Sequence, residues 1–273
     1  MSLYSEAMEV LEVTSRTFFI PISRLPPNLL EAVAASYLCM RAIDEIEDHP
    51  DLENGSKEKL LKSASLKMQS LIAGSAPAVY SPPFPGFETR LPEVTLRICD
   101  WVQLAPKTIT PRMLDAISAM AERMAYWAGN GWSVHSVADL DRYTFSVAGA
   151  VGLLLSDLWA WYDGTCTNRE HAIGFGRGLQ AVNILRNRPD DLSRGVDFFP
   201  DGWGEEQLHA YSRYNLSLAE AYLRNLPPGP ALNFCKIPYD LAVATLDVLA
   251  NGGRKLSRGE VIRITAPASQ AQP

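Results

Sequence analysis

The stretch Glu31–Pro50, EAVAASYLCMRAIDEIEDHP, decides the fold. Its apolar residues surround the helix axis instead of marking one stripe, which predicts a buried helix. Leu25-Pro26-Pro27-Asn28 introduces it and Pro50 stops it. Yet Tyr37, Arg41, Asp44 and Asp48 recur at i, i+4, i+7 and i+11, on one face, with Glu47 beside them. Carboxylates so placed repel each other, and each is costly to bury ionised. A bound divalent cation relieves both problems, and carboxylate ligation favours Mg²⁺ or Mn²⁺. Taken alone, the same residues also describe a solvated acidic helix end running into DHPDLENG.

A second polar stripe shifts the balance. In Gly174–Gly195, GFGRGLQAVNILRNRPDDLSRG, the residues Gln180, Asn183, Asn187 and Asp191 fall at i, i+3, i+7 and i+11 among Leu179, Val182, Ile184 and Leu185. Asp190 adjoins Asp191. Gly174, Gly176 and Gly178 allow a neighbouring helix to approach closely. Two such stripes can face each other across a cavity, as helix bundles build metal and ligand sites. Basic residues accompany them: Arg16 in TSRTFF, Arg41 within the first stripe, Arg186 and Arg188 beside the second. A diphosphate held by Mg²⁺ on carboxylates, with guanidinium groups completing its shell, fits this set.

The rest of the chain reads as helix, with no convincing alternating strand. Helices are predicted at Ser5–Val13, from Asn28 to about His49, and at Ser56–Ile72, Glu93–Leu104 and Pro111–Trp127, the last capped by Thr110. Others follow at Val137–Tyr162, Asn168–Arg194, Glu205–Asn225 and Leu232–Leu249. The Pro- and Gly-rich segment from Ala76 to Phe87 reads as an internal loop, not a domain linker. Residues 1–265 are expected to form one domain and 266–273 a flexible tail.

Composition excludes several classes. Of 273 residues, 47% are hydrophobic and 21% charged, with a net charge of −6. That balance fits a soluble globular protein, and without a Lys/Arg run a nucleic-acid partner is not expected. Cys39, Cys99, Cys166 and Cys235 show no CxxC, and His49, His135, His171 and His209 are scattered, which argues against zinc. The acidic N-terminus MSLYSEAMEV does not read as a signal peptide. The longest apolar stretch, Val147–Leu155, is short for a membrane span. The expected location is the cytoplasm, with transient membrane-surface contact for product release; oligomeric state is left open.

Four segments, in order, resemble the squalene/phytoene synthase family: TSRTFF, YLCMRAIDEIEDH, LDRYTFSVAGAVG and LQAVNILRNRPDDLSRGVDFFP. The likeness runs from about Thr14 to about Leu249. It implies the all-α isoprenoid synthase fold, a helical bundle around a central cavity. It also implies an allylic isoprenoid diphosphate as substrate, ionised by Mg²⁺ held on two acidic motifs. By this resemblance Asp44, Asp48, Asp190 and Asp191 are metal ligands, with Asn187 at the start of the second motif. Tyr143 matches a tyrosine that handles protons. Ser15 and Thr17 match a pair that contacts diphosphate, with Arg16 between them. Tyr37 and Arg41 join them from the first stripe, and Gln180, Asn183 and Arg186 match positions near the substrate head.

The departures matter as much. The second motif of the family begins with Asp where this chain has Asn187. Pro189 interrupts that motif and is expected to bend the helix. An arginine usual five residues after the last Asp is Val196 here, although Arg194 stands two residues earlier. This thinner second motif leads to the expectation of one-substrate chemistry: farnesyl diphosphate ionises, and water or proton loss quenches the cation. The alternative is head-to-head condensation of two prenyl diphosphates to squalene, dehydrosqualene or phytoene. A non-catalytic prenyl-diphosphate binder is the reading from another class.

Overall fold

Proline placement and apolar periodicity set most helix limits. The computed structural model describes residues 2–15, 17–74 and 83–266. Helix α1 is Leu3–Ser15, α2 Phe19–Ser23, α3 Pro27–Glu47 and α4 Asn54–Ile72. Two short helices follow, α5 Glu93–Leu96 and α6 Ile98–Val102, then α7 Thr110–Gly129 and α8 Val137–Thr144. A π-helical turn, Phe145–Gly149, joins α8 to α9, Ala150–Asp163. The chain continues as α10 Arg169–Ser193, α11 Glu205–Asn225, α12 Pro230–Ala250 and α13 Arg258–Thr265. No strand occurs among the described residues.

Helix α3 is the axis of the N-terminal half. Pro27 sits in its first turn, where a missing N–H costs nothing, and the chain before it is extended at Pro26. Its core face includes Leu29, Ala35, Leu38, Ile43 and Ile46, all at most 1% exposed. It packs against α1, α5, α6, α7 and α9. The most extensive helix pairs are α4 with α7 and α10 with α11. Helices α3 and α10 both lean on α9 rather than on each other, and a cavity fills the gap between them.

The glycines foreseen as points of close approach are just that. A Cβ on Gly176 of α10 would lie 2.1 Å from the Ala148 carbonyl oxygen in the π turn, and one on Gly152 of α9 would lie 2.1 Å from that of Ala172 in α10. Each helix thus presses a backbone carbonyl into the side-chain gap of the other. The π turn falls at the same junction, an irregularity that often marks functional sites.

Two local expectations are corrected. Thr110 does not cap α7: it is the first helical residue, and its hydroxyl donates to the carbonyls of Pro106 (3.0 Å) and Ala105 (3.3 Å) in the preceding turn. The segment Glu93–Leu104 breaks at Arg97, whose guanidinium gathers Glu6, Glu93 and Asp100 and lies 4.4 Å over the Trp101 ring. Pro189 lies within the last turns of α10, which runs on to Ser193.

The run Val137–Asp163, through α8, the π turn and α9, is by length and composition apolar enough to cross a membrane. Its hydropathy has a local use, because Leu140, Leu158 and Trp159 are buried while Val147, Val151 and Leu155 line the cavity. Of the proline-rich loop, residues 76–82 lie outside the described residues. Its far end is packed, with Phe84 1% exposed and Ser63 Oγ donating to the Pro83 carbonyl at 2.7 Å. The tail expected at 266–273 lies, past Ala266, outside the described residues as well.

Candidate active site

Two faces of opposite helices build one cavity. Tyr37, Arg41 and Asp44 reach it from α3, and Gln180, Asn183 and Arg186 reach it from α10. Thr17 and Phe18 enter from the chain between α1 and α2. The volume is about 320 Å³. Away from these polar residues the wall is apolar, with Val147, Val151 and Leu155 on one side and Phe175, Phe234 and Leu241 on another. One polar end and a long apolar interior suit a ligand with an anionic head and a hydrocarbon tail.

The polar end is under-neutralised. Asp44 is half-buried in the cavity wall and accepts no hydrogen bond from the described residues. Burial pushes its carboxyl up to about 7; Arg41 pulls it down, while Asp48 and Glu45 push it further up. Arg41 is itself committed to an ion pair with Glu45, one turn on. Burial, then the charge of Asp44, raises the Tyr37 phenol to about 12. Glu47 is held well above the usual carboxylate range by burial and by Asp48 and Asp44, opposed by a hydrogen bond that the Tyr143 hydroxyl donates at 3.4 Å.

Tyr143 does not line the cavity wall. It is 3% exposed, stacked on Phe198 with centroids 4.3 Å apart and edge-on to Trp127 at 5.5 Å. Its phenol is raised well above 10, first by burial and then by Glu47, Asp48, Asp191 and Asp44, so its hydroxyl faces the acidic end and stays protonated. Beyond it, Arg194 joins the two stripes. Its Nη1 donates to Asp48 Oδ1 at 3.3 Å and its Nη2 to Asp191 Oδ1 at 2.5 Å. Asp191 is buried, and burial raises its carboxyl against the pull of Arg194.

The sequence-predicted set is only partly assembled. Asp44, Arg41, Tyr37, Thr17, Gln180, Asn183 and Arg186 share the cavity, and Asp48, Asp191 and Tyr143 adjoin its acidic end. Ser15 is buried, has an unpartnered hydroxyl and does not reach the cavity wall, because the last turn of α1 packs inward. Arg16 lies outside the described residues. Asn187 accepts a hydrogen bond from Arg186 Nε at 3.1 Å, and Asp190 is exposed and has no ion pair among the described residues. Arg188 pairs with Asp197 at 2.9 Å and covers the Phe199 ring, so it does not serve the cavity. Among the described residues no three acidic, His or Cys groups converge as a ready metal cage.

The residues nevertheless fit Mg²⁺. The Asp44 carboxylate is a half-buried hard-oxygen donor that accepts no hydrogen bond from the described residues, and Asp48 and Asp191 already share one cation, the guanidinium of Arg194. The sequence alone put too little weight on Glu47 and did not point to Lys57, whose ammonium caps the Glu47 carbonyl; it showed Arg194 near the second motif without its partners. Arg194 carried a local signal, its i+3 spacing from Asp191. Its bond to Asp48 spans 146 residues and had none.

Comparison with known proteins agrees with this architecture. The squalene/phytoene synthase family model matches residues 11–212. The squalene synthase of Schizosaccharomyces pombe is 26% identical over 295 residues, covering 94% of this chain and 63% of that protein. The squalene synthase of Dictyostelium discoideum is 27% identical, covering 89% and 63%. The chain thus spans less than two thirds of the length of these relatives. Among solved structures, the complex of TcSQS with the ligand BPH1237 superposes with a TM-score of 0.76 at 23% identity, covering 96% of this chain and 84% of that one. A dehydrosqualene synthase in complex with a ligand superposes with a TM-score of 0.62 at 17% identity, covering 96% and 94%. At these identities the superpositions speak for the fold.

Proposed function

The chain belongs to the squalene/phytoene synthase family, and from that footing we propose that it ionises allylic prenyl diphosphates and joins two of them head to head. The observation that carries this reading is the half-buried carboxylate of Asp44, which accepts no hydrogen bond from the described residues, at the polar end of an otherwise apolar cavity. Asp44 and Asp48 on α3 and Asp191 on α10 would hold Mg²⁺, with the Asn187 carbonyl oxygen and Asp190 as further donors. When bound, Mg²⁺ supplies charge stabilisation for the departing diphosphate.

The protein does the rest. Thr17, Arg41 and Arg186 bind the diphosphate oxygens, and Gln180 and Asn183 orient the head of the chain. The C1–O bond breaks with its electron pair leaving on oxygen, and the apolar wall of Val147, Val151 and Leu155 excludes water from the allylic cation. The double bond of the second prenyl diphosphate attacks that cation, and loss of one proton closes the new carbon skeleton. In this reading Tyr143, neutral and hydrogen-bonded to Glu47, takes part in that proton transfer. An apolar product partitions into a bilayer, so release at a membrane surface belongs to the proposal.

One-substrate hydrolysis was expected from Asn187 and Val196. The relatives' names support condensation instead, and Arg194 weakens the case from Val196 by supplying a cation at the same end. Incubation with farnesyl diphosphate and Mg²⁺, with and without NADPH, followed by mass spectrometry of the products, tests this. A cyclopropyl diphosphate or C30 hydrocarbon is the expected result. Farnesol as sole product would restore the one-substrate reading.

Tyr143→Phe is expected to lower turnover about a hundredfold, the scale of lost proton transfer. Stability should change by less than about 1 kcal/mol, since one long hydrogen bond is lost and both ring contacts survive. Steady-state kinetics with a melting curve checks both; unchanged rate and products would leave Tyr143 a core residue.

A further inference from the structure

Arg194 occupies a place that the family pattern leaves to another position. It ends α10 and precedes Gly195, whose φ of 77° turns the chain away. Its guanidinium reaches carboxylates on two helices that share no extensive contact, Asp48 at the end of α3 and Asp191 in α10. The side chains of Arg194 and Asp48 are 48% and 51% exposed, whereas that of Asp191 is 9% exposed. Arg194 therefore stands between the two acidic faces, with the Lys57 ammonium beside it on the Glu47 carbonyl. Val196, where the resemblance expects an arginine, is apolar and only its backbone N–H serves this corner, donating to the Asp191 carbonyl at 3.1 Å.

We propose that Arg194 is a resident counter-ion of the acidic end. It holds Asp48 and Asp191 together while no divalent ion is bound, yields them when Mg²⁺ binds, and then turns to the incoming diphosphate. The inference rests on Asp48 and Asp191 being the metal-binding carboxylates of the proposed function. A guanidinium keeps its charge at any working pH, so it neutralises the pair without a proton. Mg²⁺ demands close, near-octahedral oxygen donors, so it competes for the lone pairs that Arg194 now uses. The contact with Asp48 is half-exposed and yields at little cost, while the shorter bond to buried Asp191 is the one that metal coordination must replace. The freed fork then matches phosphate oxygens in two-point geometry. Arg194 thus acts as a positioning residue toward the metal and as a contact toward the diphosphate.

The test is a melting-temperature titration of the full chain with MgCl₂ alone, for wild type, Arg194→Lys and Arg194→Gln. Inorganic pyrophosphate binding is then measured at saturating Mg²⁺. In EDTA, Arg194→Gln should melt below wild type, because Asp48 and Asp191 lose their common partner. Its Mg²⁺-induced rise should be larger, and its half-saturating Mg²⁺ about three- to tenfold lower, with the lysine variant in between. Pyrophosphate should bind Arg194→Gln about tenfold more weakly, with lysine restoring part of the affinity. A brace with no metal or ligand role would lower the melting temperature equally at every Mg²⁺ concentration, and that result overturns the inference. So does weaker Mg²⁺ binding in Arg194→Gln, or unchanged pyrophosphate affinity. A wild type with no Mg²⁺ response would remove the metal site itself; a normal wild-type response with an unmoved variant removes only the role of Arg194.

Discussion

Asp44→Ala and Asp48→Ala should each cut turnover on farnesyl diphosphate about a thousandfold while far-ultraviolet circular dichroism stays unchanged. Losing a metal carboxylate withdraws several kcal/mol of stabilisation from the departing diphosphate, and about 4 kcal/mol is roughly a thousandfold in rate. The fold should not suffer. The Asp44 carboxyl is raised by burial to about 7, so the folded chain binds a proton there that the unfolded chain has released. Stability from this group is present at about pH 4 and is lost as pH rises toward 7. With metal chelated at pH 8, Asp44→Asn should therefore melt at or above wild type, a site residue held at the expense of the fold. Near-normal turnover in both alanine variants would remove the metal-site reading. A stability loss in Asp44→Asn would mean that the carboxylate has a protein partner.

Gly176→Ala and Gly152→Ala should be the most destabilising of the small substitutions. Each adds one methyl group 2.1 Å from a backbone carbonyl oxygen, Ala148 for the first and Ala172 for the second. Neither carbonyl can rotate away without breaking its own helix, so α10 must move off the π turn in the first case and off α9 in the second. Overpacking of this kind costs about 3 kcal/mol, or a fall in melting temperature of roughly 6–12 °C at this chain size. Gly164→Ala is the matched control: its φ is 79° at the end of α9, but nothing lies within 4 Å of the added carbon. It should lose only about 1 kcal/mol of backbone strain. Calorimetry that found all three alike would show the interlock to be slack.

Much of this was legible locally. A helix is a short-range object, so the apolar periodicity around Asp44 and Asn183 announced both stripes, and the glycines at 174, 176 and 178 announced close packing. Helix ends were less legible where a neighbour competed with the local signal. Thr110 looks like a cap, but the turn at Pro106 offers it carbonyls first. The Glu93–Leu104 helix broke where Arg97 found Glu6, far away in sequence.

Sequence by itself determined the helical class, the two acidic faces and the identity of the polar groups that meet the cavity, because side-chain spacing along one helix fixes which residues share a face. Only the tertiary structure decided how those faces meet. The π turn at Phe145–Gly149, the burial of Ser15 away from the cavity and the packing of Tyr143 between Trp127 and Phe198 all depend on distant helices. The same holds for the charge balance of the site. Val196 reads as a missing cation, yet Arg194 reaches Asp48 across the gap. A guanidinium on a long side chain is placed by the carboxylates that surround it in space, and no spacing along the chain records where those will be.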